Sequence, residues 1–372
     1  MKYIKGFDTI RTGAIIFVII THWGPHGSKS PLLNFIFSKL IPDGKFGVDL
    51  FFVLSGYLIT KILLAARKQG LKNERMKILK NFYVRRALRI FPIYFLYVFI
   101  MIYVLHDDYV KKNIVFFLTY TTNFLAFREG QKFVPHVWSL AVEEQFYLIW
   151  PWVIIFAPKR ILFSLIVGFI LIGLCSSLIL QHFFGEYVIF LLLPCITAFS
   201  IGALYAYVEI SRQFYNITVN CFKVLFPVCI ILLFLHQFGH HFVLIRAINS
   251  IIGVVVIMYI SRQDYNRFTA YIFNNKILVN IGKISYGIYL YHFGFPFYYN
   301  QFISYLQQNN YIDSKTMNVL TTLPPAYFIY LASILLIATL SYKFIELPFL
   351  KLKSYFNYTD TKNIQKNISL IK

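Results

Sequence analysis

Arg11 and His22 bracket an apolar run that extends from Ile10 to Trp23. Eleven helical positions at about 100° each return to within about 20° of the starting direction, so the two side chains share one face and lie about 16 Å apart along it. Ionisable side chains inside an apolar span are costly and turn toward a protein interior or a wet cavity, so the pair describes a site with two ends, one cationic and one titratable. The alternative is that Arg11 anchors the helix among lipid headgroups and His22 sits in the opposite interface. A second cationic group, Arg85, Arg86 and Arg89, consists of helical neighbours whose guanidiniums could clamp a phosphate, or could anchor a helix against anionic lipid.

The stretch Trp138-Ser139-Leu140-Ala141-Val142-Glu143-Glu144-Gln145 is the richest in polar groups. Adjacent glutamates face different ways on a helix, so at least one points into the protein and must be paired or protonated. Gln145 adds an amide donor, and Ser139, one turn before Glu143, adds a hydroxyl on the same face. Asp49, in Gly47-Val48-Asp49-Leu50-Phe51-Phe52-Val53-Leu54-Ser55-Gly56-Tyr57, is placed near the level of His22. There a carboxylate can orient an imidazole, or it can complement a helix dipole. Ser55-Gly56 would let another helix approach closely. His292 is expected near mid-span, where a single histidine in a bundle is commonly a satisfied structural group. Glu346 reads as a structural acid beside the basic cluster. The four cysteines lie in apolar segments without CxxC spacing, so neither a metal site nor a disulfide framework is expected.

The elements that hold these residues are membrane spans. With 58% hydrophobic and 14% charged residues over 372 positions, and a mean hydropathy of +0.62, the chain has the composition of a polytopic membrane protein. Apolar runs near 7–24, 47–66, 87–105, 138–157, 161–181, 187–209, 221–238, 243–260, 282–304 and 324–345 predict an all-α protein of about ten transmembrane helices. The stretch 112–127 is expected to be re-entrant or interfacial, because a further span there would reverse every later loop. Of the 36 Lys and Arg, 27 then fall on the side of the N-terminus and 9 on the other. That asymmetry puts both termini in the cytoplasm and explains the net charge of +21 without nucleic acid. Residues 1–348 read as one membrane-embedded domain and 349–372 as a polar cytoplasmic tail. No internal repeat is evident, which weakens a transporter of the inverted-repeat type.

Taken together, these stretches resemble acyltransferase family three, integral-membrane acyltransferases of bacterial surface glycans. Arg11 with His22 resembles the first-helix signature, Gly47 to Gly56 the second, Arg86-Ala87-Leu88-Arg89 the third-helix arginine pair, Trp138 to Glu143 with Gln145-Phe146-Tyr147 the fourth, and Ser285-Tyr286 through His292 a late motif. The resemblance implies a bacterial cytoplasmic-membrane enzyme that moves an acyl group, usually acetyl. The donor is acetyl-coenzyme A, as co-substrate and not as a bound cofactor. The acceptor is a hydroxyl of a cell-surface or exported polysaccharide or lipid-linked glycan, such as O-antigen of lipopolysaccharide, capsule, exopolysaccharide or peptidoglycan. His22 would be the general base with Glu143 as its partner, and Arg11, Arg86 and Arg89 would hold the coenzyme's phosphates. Asp49, Ser139, Gln145 and His292 would support them, with membrane lipids as the surroundings. Longer family members carry an extracytoplasmic esterase-like domain, which this chain is expected to do without. No Ser or Cys stands out as a nucleophile, which favours direct transfer. The competing class is a transporter or flippase for a glycan or lipid-linked precursor, with the same polar core as its path.

Overall fold

An apolar segment in lipid must satisfy its backbone groups internally, and Gly6–Trp23 does so as the first helix, α1. It ends at Gly24, whose amide still reaches the Ile20 carbonyl at 2.7 Å. The second helix, α2 (Gly44–Gln69), starts at Asp43, whose carboxylate accepts from the Phe46 amide at 3.1 Å and satisfies one of the donors that a helix start leaves open. Helix α2 returns antiparallel along α1. A Cβ on Gly47 would lie 2.4 Å from the Ala14 carbonyl oxygen, and one on Gly44 would lie 3.3 Å from Thr21. This register carries Ser55 toward the Arg11 end of α1.

The computed structural model describes residues 3–24, 32, 35–70, 74–130, 136–321 and 325–358. After α2 come α3 (Arg75–Tyr103), three short helices α4 (Asp108–Lys112), α5 (Ile114–Leu118) and α6 (Thr122–Glu129), and α7 (Trp138–Phe156). Then follow α8 (Leu162–Phe184), α9 (Leu192–Ser211), α10 (Tyr215–Gln237) and α11 (Ile245–Arg262). The last third is more broken: α12 (Arg267–Phe273), α13 (Lys276–Lys283), α14 (Ser285–Tyr291), α15 (Phe295–Gln308), α16 (Ser314–Thr321), α17 (Pro325–Ser341) and α18 (Leu347–Lys351). No strand occurs among the described residues.

Seven helices among the described residues are long and apolar enough to cross a membrane: α2, α3, α8, α9, α10, α11 and α17 with its continuation. Of the remaining expected spans, α1 and α7 have the length but carry Asp8 and Arg11, or Glu143 and Glu144, inside it. The run 282–304 is not one helix. Ile284 separates α13 from α14, and Gly294 with Pro296 at the first turn of α15 interrupts it again, so His292 caps a seven-residue helix and does not sit within a continuous span.

The helices sort by burial. Of the most apolar window of α9, 83% is buried, against 22% for α8 and for α10, which face outward. Helices α2 and α9 cross with backbones almost touching: a Cβ on Gly56 would sit 2.0 Å from the Phe199 carbonyl oxygen, and one on Gly202 equally close to that of Val53. The segment expected to be re-entrant or interfacial is the run α4–α6. It buries Phe117, Leu125 and Ala126, and Gln145 of α7 braces it by donating to the Tyr120 carbonyl (3.0 Å) and to the side-chain oxygen of Asn123 (2.8 Å).

Asp49 corrects an expectation. Its carboxylate does not meet His22. It is buried in an ion pair with Arg246 of α11 and accepts from Asn249 at 2.9 Å, while Arg246 also donates to the Ile189 carbonyl at 3.0 Å. A buried carboxylate needs this compensation, and Arg246 supplies it from a neighbouring helix. Removing one partner leaves an uncompensated buried ion. Arg246→Met should therefore lower stability by about 3–5 kcal/mol, read as a fall in thermal unfolding temperature in detergent, and Asp49→Leu in the same chain should recover more than half of the loss. Equal stability of the single and double variants would exclude a pairing role.

Candidate functional site

The N-terminal turns of α1, the C-terminal half of α2, the middle of α3 and the segment after α17 line a partly open cavity of about 850 Å³. Arg11 is held at its wall by an ion pair with Asp8, one turn earlier, and Asp8 also accepts from the Tyr3 hydroxyl. Helix α3 brings Arg85, Arg86 and Arg89 to the same cavity because their spacing covers one turn. Arg86 lies over the Tyr147 ring, 4.1 Å from its centroid. Arg85 turns to the chain's end and donates to the carbonyls of Lys353 (2.7 Å) and Phe356 (3.3 Å). With Lys283 and Lys353 the wall carries six cations, against the two carboxylates of Asp8 and Glu346. An excess of four like charges around a partly enclosed space attracts a polyanion.

Arg11, Arg86 and Arg89 also line a second, smaller chamber of about 90 Å³ deeper between the helices. Glu143 lies on its wall and accepts from the Ser55 hydroxyl at 3.0 Å, and Ser55 accepts from the Tyr147 hydroxyl at 3.2 Å. Tyr147, four residues after Glu143, shares its helix face, which is the signal by which the sequence could have revealed it. The buried hydroxyl of Tyr286 lines this chamber without a hydrogen-bond partner among the described residues. Toward the other end, the Tyr289 hydroxyl lies 2.7 Å from that of Ser139 and donates to the His136 carbonyl at 2.9 Å.

Beyond Tyr289 stand the imidazoles. His292 Nε2 is 3.0 Å from His22 Nδ1, and His292 Nδ1 is 2.8 Å from the Tyr289 carbonyl oxygen. A carbonyl only accepts, so Nδ1 of His292 carries a hydrogen. In the neutral ring its Nε2 then accepts from Nδ1–H of His22, and the lone pair of His22 is on Nε2. The geometry is fixed from three sides. The Trp23 indole donates to the His292 carbonyl at 2.8 Å, the His136 ring packs 4.9 Å from that of His292, and His136 Nε2 is 3.0 Å from the Leu290 carbonyl oxygen. His292 is fully buried, whereas His22 is exposed.

The structure therefore brings together Arg11, Arg86, Arg89, Glu143 and Ser139 around two spaces that share the three arginines in their walls, and pairs His22 with His292. The expected pairing of His22 with Glu143 is corrected: the carboxylate bonds Ser55 on the arginine side, because the antiparallel register of α1 and α2 puts Ser55 there. Asp49 and Gln145 serve packing, as described above. His136, Tyr286 and Tyr289 were missed as members of the site. Only the last two had a signal, since they lie in the stretch that also contains His292.

Residues 4–343 match the acyltransferase domain family. The chain is similar to the peptidoglycan O-acetyltransferase OatA of Listeria monocytogenes, 30% identical over 96% of this chain and 57% of that protein. It is likewise similar to the O-acetyltransferase OatA of Staphylococcus aureus, 28% identical over 94% of this chain and 58% of that protein. The chain thus spans less than three fifths of the length of these relatives. No solved structure is significantly similar to it.

The histidine pair makes a prediction about protons. With ring-nitrogen labelling and neutral rings, solid-state NMR should report His22 with a protonated-type Nδ1 and an unprotonated-type Nε2. His292→Ala should change the proportion of the two tautomers. A His22 spectrum insensitive to the change would mean that His292 does not set its tautomer.

Proposed function

The chain belongs to the acyltransferase domain family, and from that premise we propose that it transfers an acetyl group from acetyl-coenzyme A to a hydroxyl of a surface polysaccharide. The observation that carries this reading is a route marked by successive polar groups: Arg11, Arg86 and Arg89 line both the cationic cavity and the Glu143 chamber, whose wall includes Tyr289, and the Tyr289 carbonyl oxygen is 2.8 Å from His292, the partner of His22. The spacing along α1 gives the route its scale, since Arg11 and His22 are about 16 Å apart, a distance of the order of an extended pantetheine arm. The coenzyme's phosphates sit against Arg11, Arg86 and Arg89, and the thioester reaches toward the imidazoles.

The membrane orientation in this reading has the arginine end and both termini in the cytoplasm of a bacterial cell and His22 toward the outer face. The 27-to-9 split of basic residues favours it, and α1, α7 and the broken α13–α15 run join the seven apolar helices to give about ten crossings. A donor made in the cytosol can then meet an acceptor presented on the other side. Peptidoglycan is the acceptor named for the Listeria relative, and glycans of that kind are the acceptors we favour.

In the chemical step the acceptor oxygen forms a bond to the acetyl carbon as the carbon–sulfur bond breaks. His22 Nε2 takes the hydroxyl proton and returns it to the leaving thiolate, so the products are the ester and the coenzyme thiol. His292 keeps the lone pair of His22 on Nε2 and shares the positive charge of the protonated state. Glu143 holds Ser55 and shapes the chamber beside Arg86, so its role is to position the donor.

Purified protein in vesicles, given acetyl-coenzyme A and a glycan acceptor, should release coenzyme A only when the acceptor is present. Glycan crossing the vesicle without thioester loss would instead support a transporter. Removing a general base costs about 10²–10⁴ in rate, so His22→Ala should lose that much transfer while remaining in the membrane, and near-normal acetylation of the glycan would end its assignment. Guanidinium geometry permits two-pronged phosphate binding and an ammonium does not, so Arg86→Lys and Arg89→Lys should each weaken acetyl-coenzyme A binding by about tenfold with orientation unchanged. Unchanged affinity in both would return these arginines to a lipid-anchoring role.

A further inference from the structure

The cavity wall continues past the family match. The match ends at residue 343, yet Glu346, Lys353, Asn357 and Tyr358 line the same space as Arg11 and Arg86. The segment is docked on α3. The run of α17 continues through a π-helical turn, Tyr342–Glu346, and α18, and a 3-10 turn, Leu352–Tyr355, closes it at the cavity wall. Asn81 donates to the Asn357 carbonyl at 2.6 Å, Arg85 donates to those of Lys353 and Phe356, and the Arg85 guanidinium lies 5.2 Å from the Tyr358 ring centroid. Two side chains of the helix that carries Arg86 and Arg89 thus hold three carbonyls of the tail.

This docking spends the main chain of Lys353 and leaves its ammonium for the cavity. The side chain is half-buried, and among the described residues its ammonium takes part in no ion pair or hydrogen bond. Facing it across the cavity are Arg11, Arg85, Arg86, Arg89 and Lys283, with only Asp8 and Glu346 as carboxylates. A cation gathered among like charges in a partly desolvated space is unfavourable until a counter-charge enters. An acyl-coenzyme A brings roughly four negative charges, two on its diphosphate and up to two on its 3′-phosphate, opposite in sign to the formal excess on the wall.

We propose that Lys353 is a phosphate ligand of the acyl-coenzyme A donor, and that residues 346–358 form part of the donor site. This rests on the donor reading above and extends it to a segment that the family match does not reach. The donor class selected is a phosphorylated nucleotide thioester, as opposed to a bare acyl-pantetheine.

The test compares acetyl-coenzyme A with S-acetylpantetheine, which has the same thioester arm and no phosphates, as donors for wild type, Lys353→Ala and Lys353→Arg. The protein is held in zwitterionic vesicles, so that anionic lipid headgroups do not compete. Lys353→Ala should raise KM for acetyl-coenzyme A about tenfold with kcat within about twofold, leave the slower reaction of S-acetylpantetheine unchanged, and be largely rescued in Lys353→Arg. An unchanged KM in Lys353→Ala overturns the proposal. So does a parallel loss with both donors, which would make the residue structural. If the wild type does not use acetyl-coenzyme A, the donor reading itself fails and the proposal falls with it. If Arg86→Lys weakens the donor and Lys353→Ala does not, only the present inference is lost.

Discussion

An ion moved from water into an apolar bundle keeps its charge only where a partner, a set of hydrogen bonds or a wet cavity compensates it, and this constraint arranges the interior of the protein. Asp49 and Arg246 solve it as a closed pair, with Asn249 and the Ile189 carbonyl taking their remaining capacity. Lys61 and Glu209 do the same at 2.8 Å, with the Tyr57 hydroxyl donating to the carboxylate at 2.9 Å. In both pairs the carboxylate is neutralised by a cation of the chain itself. The cations around the large cavity are different, since they outnumber the carboxylates that face them.

The same constraint explains why α1 and α7 fall outside the seven helices that are long and apolar enough to cross a membrane. Helices α8 and α10 face outward and are apolar over most of their length. Helices α1 and α7 place Arg11, His22, Glu143 and Ser139 where other helices or a cavity receive them, and the broken run α13–α15 brings His292 in at a helix end. A break costs backbone hydrogen bonds, which is tolerable in a membrane only when the freed groups are buried in protein. Here the Leu290 and His292 carbonyls are taken by the His136 imidazole and the Trp23 indole, so the break and the imidazole cluster stabilise each other.

Family and site divide the labour in the functional reading. The family match places the chain among acyltransferases, and under the proposed reading the geometry gives the transfer a direction, from a cationic mouth that would hold a charged donor to an imidazole pair that would move a proton. Glu143 belongs to the first half of that path and His292 to the second, a division that follows from which helices run antiparallel and not from the spacing of residues along any one of them.

The sequence by itself determined the membrane class, because mean hydropathy and run length are sums over neighbours in the chain. It also determined the shared face of Arg11 and His22, because helical periodicity is local. It located the arginine cluster, Glu143 and the late stretch ending at His292, since ionisable groups in apolar runs stand out wherever they fold. What it could not determine was who meets whom. Asp49 and Arg246 are 197 positions apart, and His22 and His292 are 270 apart, so their partnerships depend on the register of α1 against α2 and on where the run 282–304 breaks. The docking of Lys353 on α3 was hidden for the same reason, since a polar tail carries no periodic signal of the cavity that it lines.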